Sequence, residues 1–117
     1  MQLYNSLSKN QQILKQKLTS DDITFLELKI GDLNALLIFV NDLVNKDMLG
    51  QLILKPATLI KGKPDDNLLF DAFLNPEKSK VLDLEKTVED IMMGNAILLI
   101  DTFNFALSFG LKHFEKR

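Results

Sequence analysis

A chain of 117 residues with 14 basic and 16 acidic side chains carries a net charge of −2 and holds neither cysteine nor tryptophan. The length predicts a single domain, 1–117, able to bury one core without staples. The missing cysteines exclude disulfides, zinc–thiolate sites and thiol nucleophiles and fit a reducing compartment, and the balanced charge argues against a nucleic-acid or anionic-membrane binder.

A hydrophobic content of 46% is that of a globular chain. The N-terminus lacks a charged start followed by an apolar stretch of signal-peptide length. The longest apolar runs, Ala35 to Val40 and Ala96 to Ile100, fall far short of the about 20 residues a membrane-spanning helix needs. The sequence therefore reads as a soluble chain.

In chain order, Ser6 to Leu18 reads as a short amphipathic helix with Ser6 or Ser8 as its cap and Leu7, Leu14 and Leu18 on one side. Ile23 to Ile30 switches to period two, with Leu26, Leu28 and Ile30 opposed to Glu27 and Lys29, a half-buried strand. Gly31-Asp32 supplies the turn into the uninterrupted run ending at Val40, which suits a strand covered on both faces. Asn45 is placed to cap a helix carrying Met48, Leu49, Leu52 and Ile53, and Pro56 predicts a break or kink near Lys55. Lys61-Gly62-Lys63-Pro64-Asp65-Asp66-Asn67 is the strongest loop signal. A short helix over Leu68 to Leu74 should end at Pro76.

Asp83 then caps a helix bearing Leu84, Val88, Ile91 and Met92, with Gly94 at its left-handed end. Ala96 to Ile100 is the second uninterrupted strand. After a turn at Asp101-Thr102, Phe103, Phe105, Leu107, Phe109 and Leu111 alternate with Asn104, Ala106, Ser108, Gly110 and Lys112. Two hairpins, each joining an alternating strand to an apolar one, predict an α+β (mixed α/β) fold. It would be a four-stranded mixed sheet with the apolar strands central, the alternating strands at the edges and helices packed against it. The long helical connection between the central strands permits a parallel crossover.

Catalytic groups do not assemble in this pattern. His113 is the lone histidine and has no nucleophile at a recognisable elbow. The acidic pairs Asp21-Asp22, Asp65-Asp66 and Glu89-Asp90 sit in no calcium-type loop; turns and caps account for the first two and a solvated helix face for the third. The scattered glycines build no phosphate loop, so no cofactor and no metal is expected. Lys55, Lys61 and Lys63 lack interleaved aromatics, and Lys80 and Lys86 are offset by Asp83, Glu85 and Glu89, which speaks against nucleic acid. The phenylalanine row reads as core and not as a base-stacking platform. The sequence is that of a non-enzyme.

Two stretches carry a family resemblance. Leu37-Ile38-Phe39-Val40-Asn41-Asp42-Leu43-Val44-Asn45-Lys46-Asp47, continuing to Ile53-Leu54-Lys55-Pro56, is one; Val88-Glu89-Asp90-Ile91-Met92-Met93-Gly94-Asn95-Ala96-Ile97-Leu98-Leu99-Ile100-Asp101, continuing through Asn104-Phe105-Ala106-Leu107 to Glu115-Lys116-Arg117, is the other. In order and spacing they resemble segments of the soluble N-terminal region of the A subunit of GerA-type spore germination receptors. Two turn glycines of that family are Asp42 and Thr102 here, and its aspartate-rich loop is partly Asn41 and Asn45. Asp tolerates left-handed backbone and β-branched Thr does not, so the second turn is expected to differ in type.

The resemblance implies a regulatory or assembly module of a nutrient germinant receptor that triggers spore germination, without catalysis. This chain would be the first subdomain of the A subunit's N-terminal region. Implied partners are the receptor B and C subunits, the remainder of the A subunit and a second A subunit, with membrane contact through the rest of the full-length protein. The implied location is the spore inner membrane, with this domain on the cytoplasmic or spore-core side. Candidate partner contacts are Lys61, Lys63, Asp65 and Asp66 in the loop and the exposed faces of the edge strands. The alternative is a small-ligand sensor at the strand C-termini, around Asn41, Asp42, Asn45, Asp101 and Thr102.

Overall fold

The computed structural model describes residues 1–73, 75 and 77–111, so His113, Pro76 and the C-terminal part of the second resemblance lie outside the described residues. The elements run α1 (Leu7–Lys17), β1 (Ile23–Ile30), β2 (Leu33–Val40), α2 (Lys46–Leu49), a π-helical segment (Gly50–Leu54), α3 (Lys55–Thr58), α4 (Asp66–Ala72), β3 (Lys78–Val81), α5 (Leu84–Met92), β4 (Asn95–Ile100) and β5 (Ala106–Gly110). The five strands form one sheet in the order β1-β2-β4-β5-β3.

The α+β class and the central position of the two apolar strands agree with the sequence. The sheet nevertheless has five strands, and every neighbouring pair is antiparallel. The added strand is Lys78-Ser79-Lys80-Val81, which pairs with β5 and displaces it from the edge. It also explains the polarity. β3 and β4 both run antiparallel to β5, so they are parallel to each other and joined through α5. The helical crossover therefore connects β3 to β4, and β4 meets β2 head to tail.

Helices cover both faces because the central strands are apolar on both. Ala35, Leu37 and Phe39 of β2, Ala96, Leu98 and Ile100 of β4, and Phe105, Leu107, Phe109 and Leu111 form one layer with Leu49, Ile53, Ala57, Leu69 and Phe73. Leu36, Ile38, Val40, Ile97, Leu99 and Ala106 form the other with Leu14, Leu18, Leu84 and Ile91. The phenylalanine row is thus core, and Phe73 meets Phe109 edge-on at 5.4 Å between ring centres.

The helix ends follow their caps. The side chains of Ser6, Asn45 and Asp83 accept from the backbone N–H of Lys9, Met48 and Lys86 respectively. Gly94 takes φ 103° after α5, although Met92, read as part of the buried stripe, is 53% exposed. Pro56 does not break its helix. The chain stays right-handed helical from Lys46 to Thr58, and the disturbance appears as the wide π turn immediately before the proline, where the Lys55 N–H reaches back to the Gly50 carbonyl.

Candidate functional site

The antiparallel pairing of β2 with β4 decides which candidate residues meet. Asp101 follows Ile100, which pairs with Ala35 at the start of β2, whereas Asn41 follows Val40 at its far end. With about 3.4 Å per strand residue, the two positions lie about 24 Å apart. Asn41, Asp42 and Asn45 therefore occupy one end of the sheet and Asp101 and Thr102 the other. The expected ligand site spanning all five is not assembled.

At the first end, the Asn41 N–H donates to the Asp22 carbonyl (2.8 Å) and the Thr24 hydroxyl donates to Asn41 Oδ1 (2.6 Å). Asn45 caps α2 through its side chain, and its own N–H donates to the Leu111 carbonyl (2.6 Å). Asp42 is exposed and, unlike Thr102, does not have a positive φ. Asn41, Asp42, Asn45, Lys46 and Asp47 rim an open depression of about 420 Å³. The two asparagines are thus occupied in holding the turn and starting the helix.

The opposite end is more densely tied. Asp101 Oδ1 accepts from the Leu7 N–H at the start of α1 (3.0 Å), and its N–H donates to the Asn34 carbonyl (2.9 Å). Thr102 adopts φ 79°, in the left-handed region expected to exclude a β-branched residue, and its N–H donates to the Asn5 carbonyl (3.1 Å). The turn keeps the left-handed backbone that its sequence argued against. A cleft of about 410 Å³ lies between α1 and the first hairpin, lined by Ser6, Ser8, Gln11, Glu27, Asn34 and Asp101.

The 61–67 loop joins this same end. The Asp32 N–H donates to the Gly62 carbonyl (2.7 Å), fixing the loop to the β1–β2 turn. Gly31 has φ 60° and lies so close to the Gly62 backbone that a Cβ would collide with it. A positive φ at the first of two turn residues is the type II′ hairpin pattern. Lys61 and Lys63 are exposed, Asp66 is exposed at the start of α4, and Asp65 is its cap, accepting from the Leu68 N–H (2.8 Å). Beside the loop, Pro56, Leu59, Ile60, Lys61, Leu68 and Ala72 line a shallow groove of about 270 Å³. Leu59 is 72% and Leu68 53% exposed there.

One polar constellation escaped the sequence reading. Asp90, read as part of a solvated face, is buried, while its neighbour Glu89 is exposed. Asp90 Oδ2 accepts from the Ser108 hydroxyl (2.9 Å), Asn95 Nδ2 donates to Ser108 Oγ (3.0 Å), and Lys86 Nζ lies 3.0 Å from Asp90 Oδ1. Hydrogen bonding to Asp90, then to Glu89, raises the Lys86 amine above its ordinary value. The network pins α5 to β5 and leaves each of its charges partnered. The signal was Ser108, a small polar residue opposite an i,i+4 Lys–Asp pair on the helix that covers it.

Among the described residues, no group of three or more His, Cys, Asp or Glu side chains could hold a metal ion, and no helix is long and apolar enough to cross a membrane. What the described residues offer is surfaces and clefts.

Comparison with known proteins bears on these surfaces. No curated protein matches the chain. In the crystal structure of the N-terminal domain of the A subunit of the Bacillus megaterium spore germinant receptor GerK3, the same fold recurs at a TM-score of 0.72 and 21% identity. The match covers 99% of this chain and 49% of that one, so the chain spans about half the length of that domain. The family model described as Bacillus/Clostridium GerA spore germination protein matches residues 10–117. The chain belongs to the GerA family of spore germination proteins.

Proposed function

We propose that this chain is the first subdomain of the soluble N-terminal region of a germinant receptor A subunit, acting as a regulatory and assembly module without chemistry of its own. It passes conformational change between the remainder of the A subunit, the B and C subunits and neighbouring A subunits. The full-length protein sits in the spore inner membrane, with this domain on the spore-core side. The observation that carries the reading is the 61–67 loop. It presents Lys61, Lys63 and Asp66 outward beside the exposed Leu59 and Leu68, yet its backbone is bonded to the β1–β2 turn at Gly62. A partner seated on it would load the sheet directly.

The test reverses Lys61, Lys63 and Asp66 in the complete A subunit while sparing Gly62, which bonds the turn, and Asp65, which caps α4. Receptor assembly and nutrient-triggered germination are then measured in spores. Loss of either is the expected result; normal assembly and response would remove the loop from the mechanism.

A second reading, a small-ligand sensor, is favoured by the cleft lined by Ser6, Ser8, Gln11, Glu27, Asn34 and Asp101. Hydroxyl, amide and carboxylate groups of this kind suit a polar ligand with hydroxyl or amine donors. Thermal-shift and calorimetric titrations with amino acids, sugars and nucleosides separate the two, since saturable binding abolished by Asp101→Ala supports the sensor alone.

A further inference from the structure

The outer edge of β1 is an eight-residue strand with unbroken pairing on its inner side only. The two-residue turn makes Ile30 and Leu33 the closing pair, and the bond from Asn41 N–H to the Asp22 carbonyl lies in phase with it. In an antiparallel ladder alternate residues point their N–H and C=O to the same neighbour. Thr24, Leu26, Leu28 and Ile30 thus serve β2, and Phe25, Glu27 and Lys29 turn their backbone groups outward. Among the described residues, nothing bonds to the outward groups of these three. The opposite edge, β3, is four residues long, carries Lys78 and Lys80, and ends next to the Gln2–Asp83 bridge. Natural sheets blunt their edges with short strands and lysines of this kind, and β1 has neither proline nor bulge to do so.

We infer that the β1 edge pairs antiparallel with β1 of a second copy of this chain, about a two-fold axis through Leu28. The parity of the strand restricts the registers, because each outward-facing residue must oppose an outward-facing residue of the copy. A two-fold centred on Glu27 sets Glu27 against its own copy. Centring on Leu26 or Phe25 sets Glu27 against Phe25 or Ile23. The two-fold through Leu28 places Glu27 opposite Lys29 of the copy and Lys29 opposite Glu27, two opposite-charge cross-strand pairs. Both side chains are exposed, and neither has an ion-pair partner among the described residues. On the other face the half-buried Leu28 meets Leu28 of the copy, prolonging the apolar layer that Leu26 and Leu28 already border, whereas Ile30, opposite Leu26, is already buried in its own chain. The inference gives self-association within the proposed module a surface, but it rests on the strand alone, so the isolated chain tests it independently of the receptor reading.

Sedimentation equilibrium of the chain across a concentration series is the measurement. The wild type should dimerise reversibly. E27K and K29E should each weaken association about tenfold, since each turns two attractive pairs into repulsive ones. The double variant E27K/K29E should regain wild-type association, and an equimolar mixture of the two single variants should form heterodimers. Because the chain contains no native cysteine, Leu28→Cys gives a separate readout. Its two-fold position is a non-hydrogen-bonded pair with Cα atoms about 4.5 Å apart, close enough for a disulfide. Oxidised L28C should cross-link and L26C should not. A monomeric wild type, a dimer indifferent to the charge reversals, or failure of both the double variant and the mixture to restore association overturns the inference.

Discussion

Replacing Thr102 by glycine tests whether the β4–β5 turn stores strain. Thr102 has φ 79°, its side chain is exposed, and its backbone N–H is held by the Asn5 carbonyl. A side chain in left-handed backbone costs about 1–2 kcal/mol, more so when β-branched. Glycine removes that cost and returns about 0.5–1 kcal/mol through its greater freedom in the unfolded chain. The net gain is about 0.5–1 kcal/mol, or about 2–5 °C in Tm for a chain of this size. The exposed hydroxyl makes no hydrogen bond among the described residues, so the substitution removes no contact of consequence. Thr102→Ala is the control, because alanine sheds Oγ1 and Cγ2 but keeps the Cβ that carries the backbone penalty. Urea unfolding should order the chains as Thr102→Gly above Thr102→Ala, with alanine within about 0.5 kcal/mol of wild type. A glycine variant no more stable than the alanine variant would refute the strain.

Three further outcomes are expected. Ser108→Ala leaves Asp90 Oδ2 and Asn95 Nδ2 without their shared partner, and urea unfolding should show a loss of about 1–3 kcal/mol. Gly31→Ala forces a side chain into left-handed backbone and against Gly62; it should destabilise by about 2 kcal/mol or more and open the 61–67 loop to limited proteolysis. Two groups set opposite pH limits. The backbone N–H of Lys86, first among several causes, holds the Asp83 carboxyl below its ordinary 3.8, so its contribution is present above pH 3.8 and fades as pH falls below it. The Lys86 amine is raised above 10.5, so its contribution is complete below pH 10.5 and is lost as pH rises through the folded value. Thermal unfolding of Asp83→Asn should converge on wild type at the acid limit, and that of Lys86→Met at the alkaline limit.

Much of the fold was legible because it is written locally. The apolar runs of β2 and β4 announce strands buried on both faces, and Ser6, Asn45 and Asp83 mark where helices begin; the alternation from Phe103 to Leu111 locates β5, but only Ala106–Gly110 is strand, and Ala106 and Ser108, expected on an open face, are buried. β3 was not legible, since Lys78-Ser79-Lys80-Val81 has no alternation of its own and becomes a strand only because β5 offers it an edge. That one omission carried the topology with it. An unseen strand reverses chain direction once, so a connection that permits a parallel pair delivers an antiparallel one. The candidate site inherited the same error. Asn41 and Asp101 each follow an apolar strand and look equivalent in sequence, yet pairing between those strands sends them to opposite ends. Asp90 was misread for a different reason, as its burial depends on Ser108 eighteen positions away in the chain.

The two ends of the sheet are cross-linked differently, and under the proposed coupling role that difference decides which end matters. At the Asn41 end, the turn after β2 is closed by Asp22 and Thr24 at the start of the neighbouring β1, with one remote bond, from the Asn45 N–H to the Leu111 carbonyl. At the Asp101 end, segments remote in sequence are fastened together: Gly62 to Asp32, Asn34 to Asp101, Asp101 to Leu7, and Asn5 to Thr102. A displacement entering at the exposed 61–67 loop thus meets the β1–β2 turn, then the β4–β5 turn, then the N-terminal segment through successive hydrogen bonds. Each joint is short and backbone-borne on at least one side, so it transmits force with little slack. Thr102 lies within this chain in a conformation it does not favour, held there by Asn5. A run of backbone hydrogen bonds ending at a strained turn is what the proposed coupling would need, and it starts at the loop proposed as the partner's contact.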